Sequence, residues 1–246
     1  MKGYSKILLG YMLSFSLFIL EENPAVAYQE IEVQGGGEIS GTVLLKGAVP
    51  VLEPLNVDRN TDYCGKTVPD ESILVNSGNN GIQNVVVSLD RVEKGKKRQP
   101  ETIVLENLKC RFSPHILAAM VGDSYEVKNS DPVLHNTHLR QDGFGSILNI
   151  ALPPNIQNVI KRTIEHPGTI HANCDAHRFM TAEMRVFNHP YFAVTNAAGH
   201  FSLTNVPPGK YILIAWHETL PVVEKEISLD PGQKLDLSLS LAPKKK

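Results

Sequence analysis

A run of seven residues in the second half of the chain carries three side chains that bind soft metal ions. Cys174 offers a thiolate, His177 an imidazole and Met180 a thioether, in the segment Cys-Asp-Ala-His-Arg-Phe-Met. A thiolate, imidazole nitrogens and a weak thioether form the donor set that selects copper among the first-row metals. A second imidazole would complete a trigonal site, and His135 is the upstream candidate. The pattern therefore predicts a mononuclear copper site.

Two longer segments that contain these residues resemble the plastocyanin-type cupredoxins. Residues 122–136 read Gly-Asp-Ser-Tyr-Glu-Val-Lys-Asn-Ser-Asp-Pro-Val-Leu-His-Asn, and residues 167–177 read Pro-Gly-Thr-Ile-His-Ala-Asn-Cys-Asp-Ala-His. In that family a histidine follows a strand that ends in Asn, and a Cys-x2-His pair follows a Pro-Gly-Thr-Tyr-type strand. The resemblance implies a Greek-key β-sandwich in which His135, Cys174 and His177 bind copper.

The sequence leaves the fourth ligand open. Plastocyanins separate the loop histidine from the axial methionine by four residues, whereas Met180 follows His177 after two residues and Met184 after six. The shorter spacing resembles the copper loop of cytochrome oxidase subunit II, but the second cysteine of that loop is absent here. We therefore expect one copper ion with Met180 axial, and we keep Met184 as the alternative.

Two other histidines lie close to these segments. His138 comes three residues after His135, so in a β-strand it should point to the opposite face and lie beside the site. His115 lies where cupredoxins begin the strand before the Gly-Asp turn, and the resemblance makes it a further candidate ligand. Core packing or solvent exposure would explain any one of these residues taken singly. The copper interpretation depends on their agreement.

The cysteine count bears on both the compartment and the metal. The chain has three cysteines, and an odd number in an exported protein calls for an explanation. If Cys174 binds the metal, Cys64 and Cys110 are left as a pair, and a disulfide between them would stabilise an irregular segment. The alternative is that Cys110 packs as a free thiol near the metal and Cys64 stays solvated.

The first 27 residues predict the compartment. Lys2 and Lys6 precede an apolar run over residues 7–20, and Ala-Val-Ala ends at Ala27. This order is typical of a secretory signal peptide, and the run is shorter than the ~20 residues that span a bilayer. We expect cleavage after Ala27 and a periplasmic or secreted mature chain without a transmembrane segment.

Composition narrows the range of partners. The chain has 246 residues, of which 42% are hydrophobic and 20% charged, with 24 basic against 26 acidic side chains. This balance is typical of an ordinary globular protein, and we expect no nucleic acid partner. The one dense basic run, residues 244–246, is a chain end, where solvated tails are common. No His-x-x-Glu motif or Ser/His/Asp spacing indicates a hydrolase.

Short runs of β-branched residues alternate with Gly, Pro and Asn, and no long stretch has an apolar period of 3.6 residues. This pattern predicts an all-β protein built from sandwiches. Residues 192–216 resemble the carboxypeptidase regulatory-like, transthyretin-type β-sandwich, through their Gly-x-Phe and Pro-Pro-Gly-x-Tyr pieces. That family normally opens with two strands, and residues 40–43 and 85–89 match them.

These two strands precede the copper segments, so the cupredoxin is expected to interrupt the other module. We predict a discontinuous sandwich of residues 36–97 and 189–242, with the cupredoxin domain at 98–188. Such a module carries no peptidase chemistry. The alternative is an independent N-terminal strand pair that packs on the cupredoxin.

Together these features favour an exported one-electron carrier that meets an unidentified redox partner protein. In a trigonal field with a weak axial donor both copper oxidation states share nearly one geometry, so little reorganisation opposes transfer. We expect a carrier rather than an enzyme. The alternatives are a copper carrier or storage protein, a copper enzyme for a small molecule, and a metal-free extracellular adhesion or carbohydrate-binding module.

Overall fold

The computed structural model describes residues 28–154 and 160–243. The predicted signal peptide and the terminal lysines lie outside the described residues. None of the described residues belongs to a helix that is long and apolar enough to cross a membrane.

Turn residues divide the chain into many short strands. The elements up to residue 120 are β1 (Gln29–Glu30), β2 (Gly37–Leu45), β3 (Leu55–Asn56), α1 (Thr61–Cys64), β4 (Thr67–Val68), β5 (Leu74–Val75), β6 (Ile82–Gln83), β7 (Val86–Leu89), β8 (Lys94–Gly95), β9 (Thr102–Asn107), β10 (Phe112–Ser113) and β11 (Ile116–Met120). The later elements are β12 (Ser124–Asn129), β13 (His135–Gln141), β14 (Gly145–Leu152), β15 (Ile160–Thr163), β16 (Gly168–Asn173), β17 (Thr181–Phe187), β18 (Phe192–Val194), β19 (His200–Val206), β20 (Gly209–Trp216), β21 (Val223–Leu229) and β22 (Lys234–Leu241). The prediction of an all-β protein is confirmed.

Two sheets in the middle of the chain face each other, and we call them the central sandwich. One has the order β10-β9-β12-β15 and the other β11-β17-β16-β13-β14. Side chains along β12 alternate between buried and half-buried positions, as expected for a strand with one face on a core. The enclosed core includes Leu105, Val127, Leu139, Ile170 and Cys174. This part of the chain is a cupredoxin-like β-sandwich.

Two further sheets form what we call the outer sandwich, with the orders β18-β7-β20-β21 and β19-β2-β22. β2 lies between β19 and β22, and β7 lies between β18 and β20. Each sheet therefore takes an inner strand from the N-terminal side of the central sandwich and its neighbours from the C-terminal side. The predicted insertion requires this pairing; the domain boundaries at residues 98 and 188 stay predictions.

The segment between β2 and β7 contains only two-residue strands and α1. β3 pairs with β4, and β5 pairs with β6. Cys64, the last residue of α1, forms a disulfide with Cys110 of the central sandwich. The predicted disulfide is therefore present, and it holds α1 against one end of the central sandwich.

Candidate metal centre

Adjacent strands bring the predicted ligands to one end of the central sandwich. His135 opens β13, and Cys174 follows the last residue of β16. These strands are antiparallel neighbours, with His138 opposite Asn173. Strand pairing therefore places His135 beside the loop that carries the cysteine.

The loop from Cys174 to Met180 is closed by its own backbone. The His177 amide donates to the Cys174 carbonyl at 3.2 Å, and the Met180 amide donates to the His177 carbonyl at 2.9 Å. The Cys174 amide donates in turn to the Met180 carbonyl at 3.3 Å. These bonds fix the backbone positions from which the thiol and imidazole side chains project.

Three donor atoms converge in the interior. Nδ1 of His135 lies 3.1 Å from Nδ1 of His177, and Sγ of Cys174 lies 4.0 Å and 3.7 Å from these two atoms. Bonds of about 2.0 Å to nitrogen and 2.3 Å to sulfur in a planar trigonal site would separate the donors by roughly 3.5 to 3.7 Å. The triangle fits a single metal ion. The side chains are 0–2% exposed.

The second nitrogen of each imidazole faces an acceptor. Nε2–H of His135 donates to Asp131 Oδ2 at 2.8 Å, and Nε2–H of His177 donates to Asn60 Oδ1 at 2.9 Å. A proton held at Nε2 leaves the Nδ1 lone pair available to a metal. Burial lowers the pKa of both imidazoles, and the neighbouring His135 lowers that of His177 further. Both rings are therefore held in the neutral form that ligation requires.

Asp131 is a fully buried carboxylate. Burial alone would raise its pKa, but hydrogen bonds from the Cys110 and Lys109 amides, the Tyr63 hydroxyl and His135 bring the pKa below its usual range. The donor distances are 2.7, 2.6, 2.9 and 2.8 Å, in that order. Asp131 stays ionised and orients the His135 ring. Cys110 also lies near His135 and Asp131, but its sulfur belongs to the disulfide.

Asn136 organises the thiol side of the site. Its backbone N–H donates to Cys174 Sγ at 3.3 Å, and its side-chain Oδ1 accepts from the Asp175 amide at 3.1 Å. A hydrogen bond to sulfur stabilises the thiolate form and tunes a bound metal. Cys174 is a free, buried cysteine.

The two methionines occupy different places. Met180 closes the metal loop, and both methionine side chains pack in the same core cluster as Cys174. Met184 lies opposite Ile170, three residues beyond the start of β17 at Thr181. That separation is about 10 Å along a strand. Of the two, Met180 belongs to the loop and Met184 to the body of the sheet.

The structure leaves the other two candidate histidines outside the triangle. Nδ1 of His138 lies 3.2 Å from an Asp175 oxygen, and Nε2 lies 3.0 Å from the Ser146 hydroxyl. His115 contacts the Thr181 carbonyl at 3.0 Å and Glu218 at 2.6 Å. Both partners of His115 are acceptors, which favours a ring with hydrogen on both nitrogens, and in that state no lone pair is left for a metal.

Three residues of the site were not singled out by the sequence: Asp131, Asn60 and Asn136, the last of which directly follows His135. Asp131 lies four residues before His135, within the cupredoxin-like segment, so its position and acidity could have indicated it. Asn60 is separated from His177 by 117 residues. It lies in an irregular segment without a local signal that could have found it.

No family model matches this chain, and no curated protein matches it. Solved structures match part of it. A Cu-containing nitrite reductase (NirK) from Thermus scotoductus SA-01 is 21% identical over 39% of this chain and 24% of its own length, with a TM-score of 0.33. Amicyanin from Paracoccus versutus is 16% identical over 35% of this chain and 81% of its own, with a TM-score of 0.31. A purple cupredoxin from Nitrosopumilus maritimus is 21% identical over 35% and 99%, with a TM-score of 0.30. These partial likenesses carry no argument about the activity of this chain.

Proposed function

We propose that this chain is a copper protein that carries single electrons. The observation that supports this most is the buried triangle of His135 Nδ1, His177 Nδ1 and Cys174 Sγ, with separations between 3.1 and 4.0 Å. Two imidazoles and one thiolate are the donors of trigonal electron-transfer copper sites. Copper, when bound, would supply the one-electron couple. The protein would hold the three donor atoms in place.

Met180 is the proposed weak axial donor. It ends the hydrogen-bonded loop that carries Cys174 and His177, and it is buried in the same cluster as the cysteine. A long axial thioether bond is the usual complement of a trigonal Cys/His/His set. Met184 lies in the body of β17 and stays the alternative.

The held imidazoles favour electron transfer over copper carriage. A copper carrier must let a ligand from the receiving protein displace one of its own ligands. Donor side chains that are 0–2% exposed leave little room for such a ligand to reach the metal. Electron transfer needs the opposite, because donors that keep their positions in both oxidation states minimise reorganisation. Asp131 and Asn60 supply that constraint by binding the outer nitrogens of the two rings.

We also propose that the protein acts outside the cytoplasm. Residues 1–27 have the order of a signal peptide, and the Cys64–Cys110 disulfide is of the kind that persists in oxidising compartments. N-terminal sequencing of protein recovered from the periplasm or medium should begin at Tyr28. An uncleaved chain in the cytoplasm would contradict this proposal.

The copper proposal is tested by the absorption spectrum of Cu(II)-loaded protein. We expect intense thiolate-to-copper bands that bleach with ascorbate and return on reoxidation. Cys174→Ser and His177→Asn should abolish these bands. The matched control is His171→Asn, which removes a histidine of β16 whose side chain is 41% exposed. Bands that survive Cys174→Ser, or copper that does not cycle, would overturn the proposal.

A further inference from the structure

A thin polar segment separates the metal centre from solvent at His177. We call residues 60–64, Asn60 together with α1, the cap. His177 has no exposed surface, while the residues of the cap are exposed or half-buried. Asn60 Oδ1 accepts the His177 Nε2 hydrogen at 2.9 Å. One layer of residues, supplied from before the central sandwich, therefore covers the imidazole edge.

Three ties hold the cap in place. Asn60 binds His177, the Tyr63 hydroxyl donates to Asp131 Oδ1 at 2.9 Å, and Cys64 is bonded to Cys110. Asp131 also accepts the hydrogen bond from His135. The cap thus contacts one imidazole directly and the carboxylate that orients the other.

The cap has little stability of its own. None of the four residues of α1 is buried, and isolated helices of this length do not persist in water. Among the described residues, the strand pairing close to its ends is limited to the two-residue pair of β3 and β4. A segment with few buried contacts opens locally unless its ties prevent it. The disulfide and the two side-chain hydrogen bonds therefore carry most of its attachment.

We propose that the cap controls access to the metal centre, with Asn60 as the residue that positions His177 and the disulfide as its tether. Opening of the cap is the step that admits or releases a metal ion. The metal part of this inference rests on the proposed copper function. The predicted reactivity of the Cys174 thiol does not depend on copper, because the same cap encloses that thiol in the metal-free protein.

The first test measures alkylation of Cys174 by iodoacetamide in the metal-free full chain. Asn60→Gly should raise the rate between about twofold and about tenfold, the range that corresponds to one lost neutral hydrogen bond. The matched control is Asn80→Gly, because Asn60 and Asn80 have φ of 55° and 58° and glycine accepts both conformations. The control should react like the wild type.

The tether is tested in the same assay with Cys64→Ser and Cys110→Ser combined. This variant should react faster than Asn60→Gly, because the covalent attachment is lost. If it does not fold, the comparison of Asn60→Gly with Asn80→Gly still decides the matter. Equal rates for wild type and Asn60→Gly would overturn the proposal.

The second test uses the copper-loaded protein. Asn60→Gly should release copper to EDTA faster than the wild type and should shift the charge-transfer bands, and its copper affinity should fall about 10- to 100-fold, the usual effect of losing a partner of a metal-bound histidine. Asn60→Asp keeps an acceptor oxygen and should restore these properties. Failure of the wild type to bind copper would reject the proposed function but leave the alkylation result standing. Unchanged release from Asn60→Gly would reject the cap alone.

Discussion

The outer and central sandwiches differ in what they bury. The core of the outer sandwich is almost entirely aliphatic, and the few buried polar side chains around it are Asn84, Ser88, His189, Thr195 and His217. Among the residues that the structure describes, the central sandwich buries twice as many, namely Asn107, Asp123, Asn129, Asp131, His135, Thr137, His138, Gln141, Thr169 and His177. Several of these surround the donor triangle.

Buried polar groups destabilise a fold unless they are hydrogen-bonded. Among residues 28–154 and 160–243, Asn107 Oδ1 is the one buried side-chain nitrogen or oxygen without a hydrogen-bond partner. The polar interior of the central sandwich is therefore organised, and it holds a site. The difference indicates that the stability of the fold and the proposed metal chemistry reside in separable parts of the chain.

The largest effect is expected from removing the N-terminal strands of the outer sandwich. A fragment of residues 189–246 lacks β2 and β7, which lie inside the two sheets. It should show no cooperative thermal transition by circular dichroism, whereas the full chain should. A cooperative transition from the fragment would show that the C-terminal strands fold alone, and the insertion would have to be abandoned.

A core truncation in the outer sandwich should lower stability without touching the metal centre. Leu213 is fully buried, and Leu213→Ala should reduce the free energy of unfolding by about 2–5 kcal/mol. The half-buried Leu235 of the same core supplies the milder control, Leu235→Ala. Urea unfolding measures the loss. A changed copper spectrum in either folded variant would contradict the separation.

The opposite test is a substitution next to the donor triangle of the central sandwich. Asp131→Asn removes the charge that orients His135, and copper affinity should fall about 10- to 100-fold. Asp123→Asn is the matched control, because Asp123 is a buried acid of the same sandwich that pairs with Arg98. Competition with a copper chelator measures both affinities. Equal losses in the two variants would mean that general destabilisation, and not ring orientation, sets the affinity.

The smallest effect concerns His115, which joins the two sandwiches through Glu218. Burial lowers the pKa of His115, but its hydrogen bond with Glu218 and the negative charge of that residue outweigh burial, and the net shift is upward. The pair therefore stabilises the fold fully below about pH 6.5, and this contribution disappears as pH rises through the raised pKa.

The contribution of this pair should be about 1 kcal/mol or less. His115→Gln should remove the pH dependence that the pair causes, as measured by unfolding at pH 5.5 and pH 8.5. An unchanged difference between the two pH values would assign that dependence to other groups.

The sequence was most informative about residues that lie close together in the chain. The spacing within 174–180 placed a thiol and an imidazole on one loop, and alternating patterns predicted the strands. Once Cys174 was assigned to the metal, Cys64 and Cys110 remained as the predicted pair. Residue types and the periods of extended backbone were enough for the fold class, whereas the choice of His135 as the third donor also used the resemblance to plastocyanin-type cupredoxins.

Contacts across long separations were beyond such reasoning. Asn60 reaches His177 across 117 residues, and His115 reaches Glu218 across 103. Each contact depends on how an irregular segment or the outer sandwich packs against the central sandwich. The spacing of residue types along the sequence carries no information about that packing. His115 was a candidate ligand by resemblance, yet its ring contacts the Thr181 carbonyl of β17 and Glu218 of the outer sandwich instead.

The parallel pairing of β2 with β22 has a consequence for the order in which the molecule forms. Leu45 lies opposite Leu241, so this strand cannot complete its pairing until β22 is available, and contacts of such long sequence separation form slowly. The central sandwich is complete in the chain well before that. We therefore expect the sandwich with the metal ligands to form first and the outer sandwich to close last.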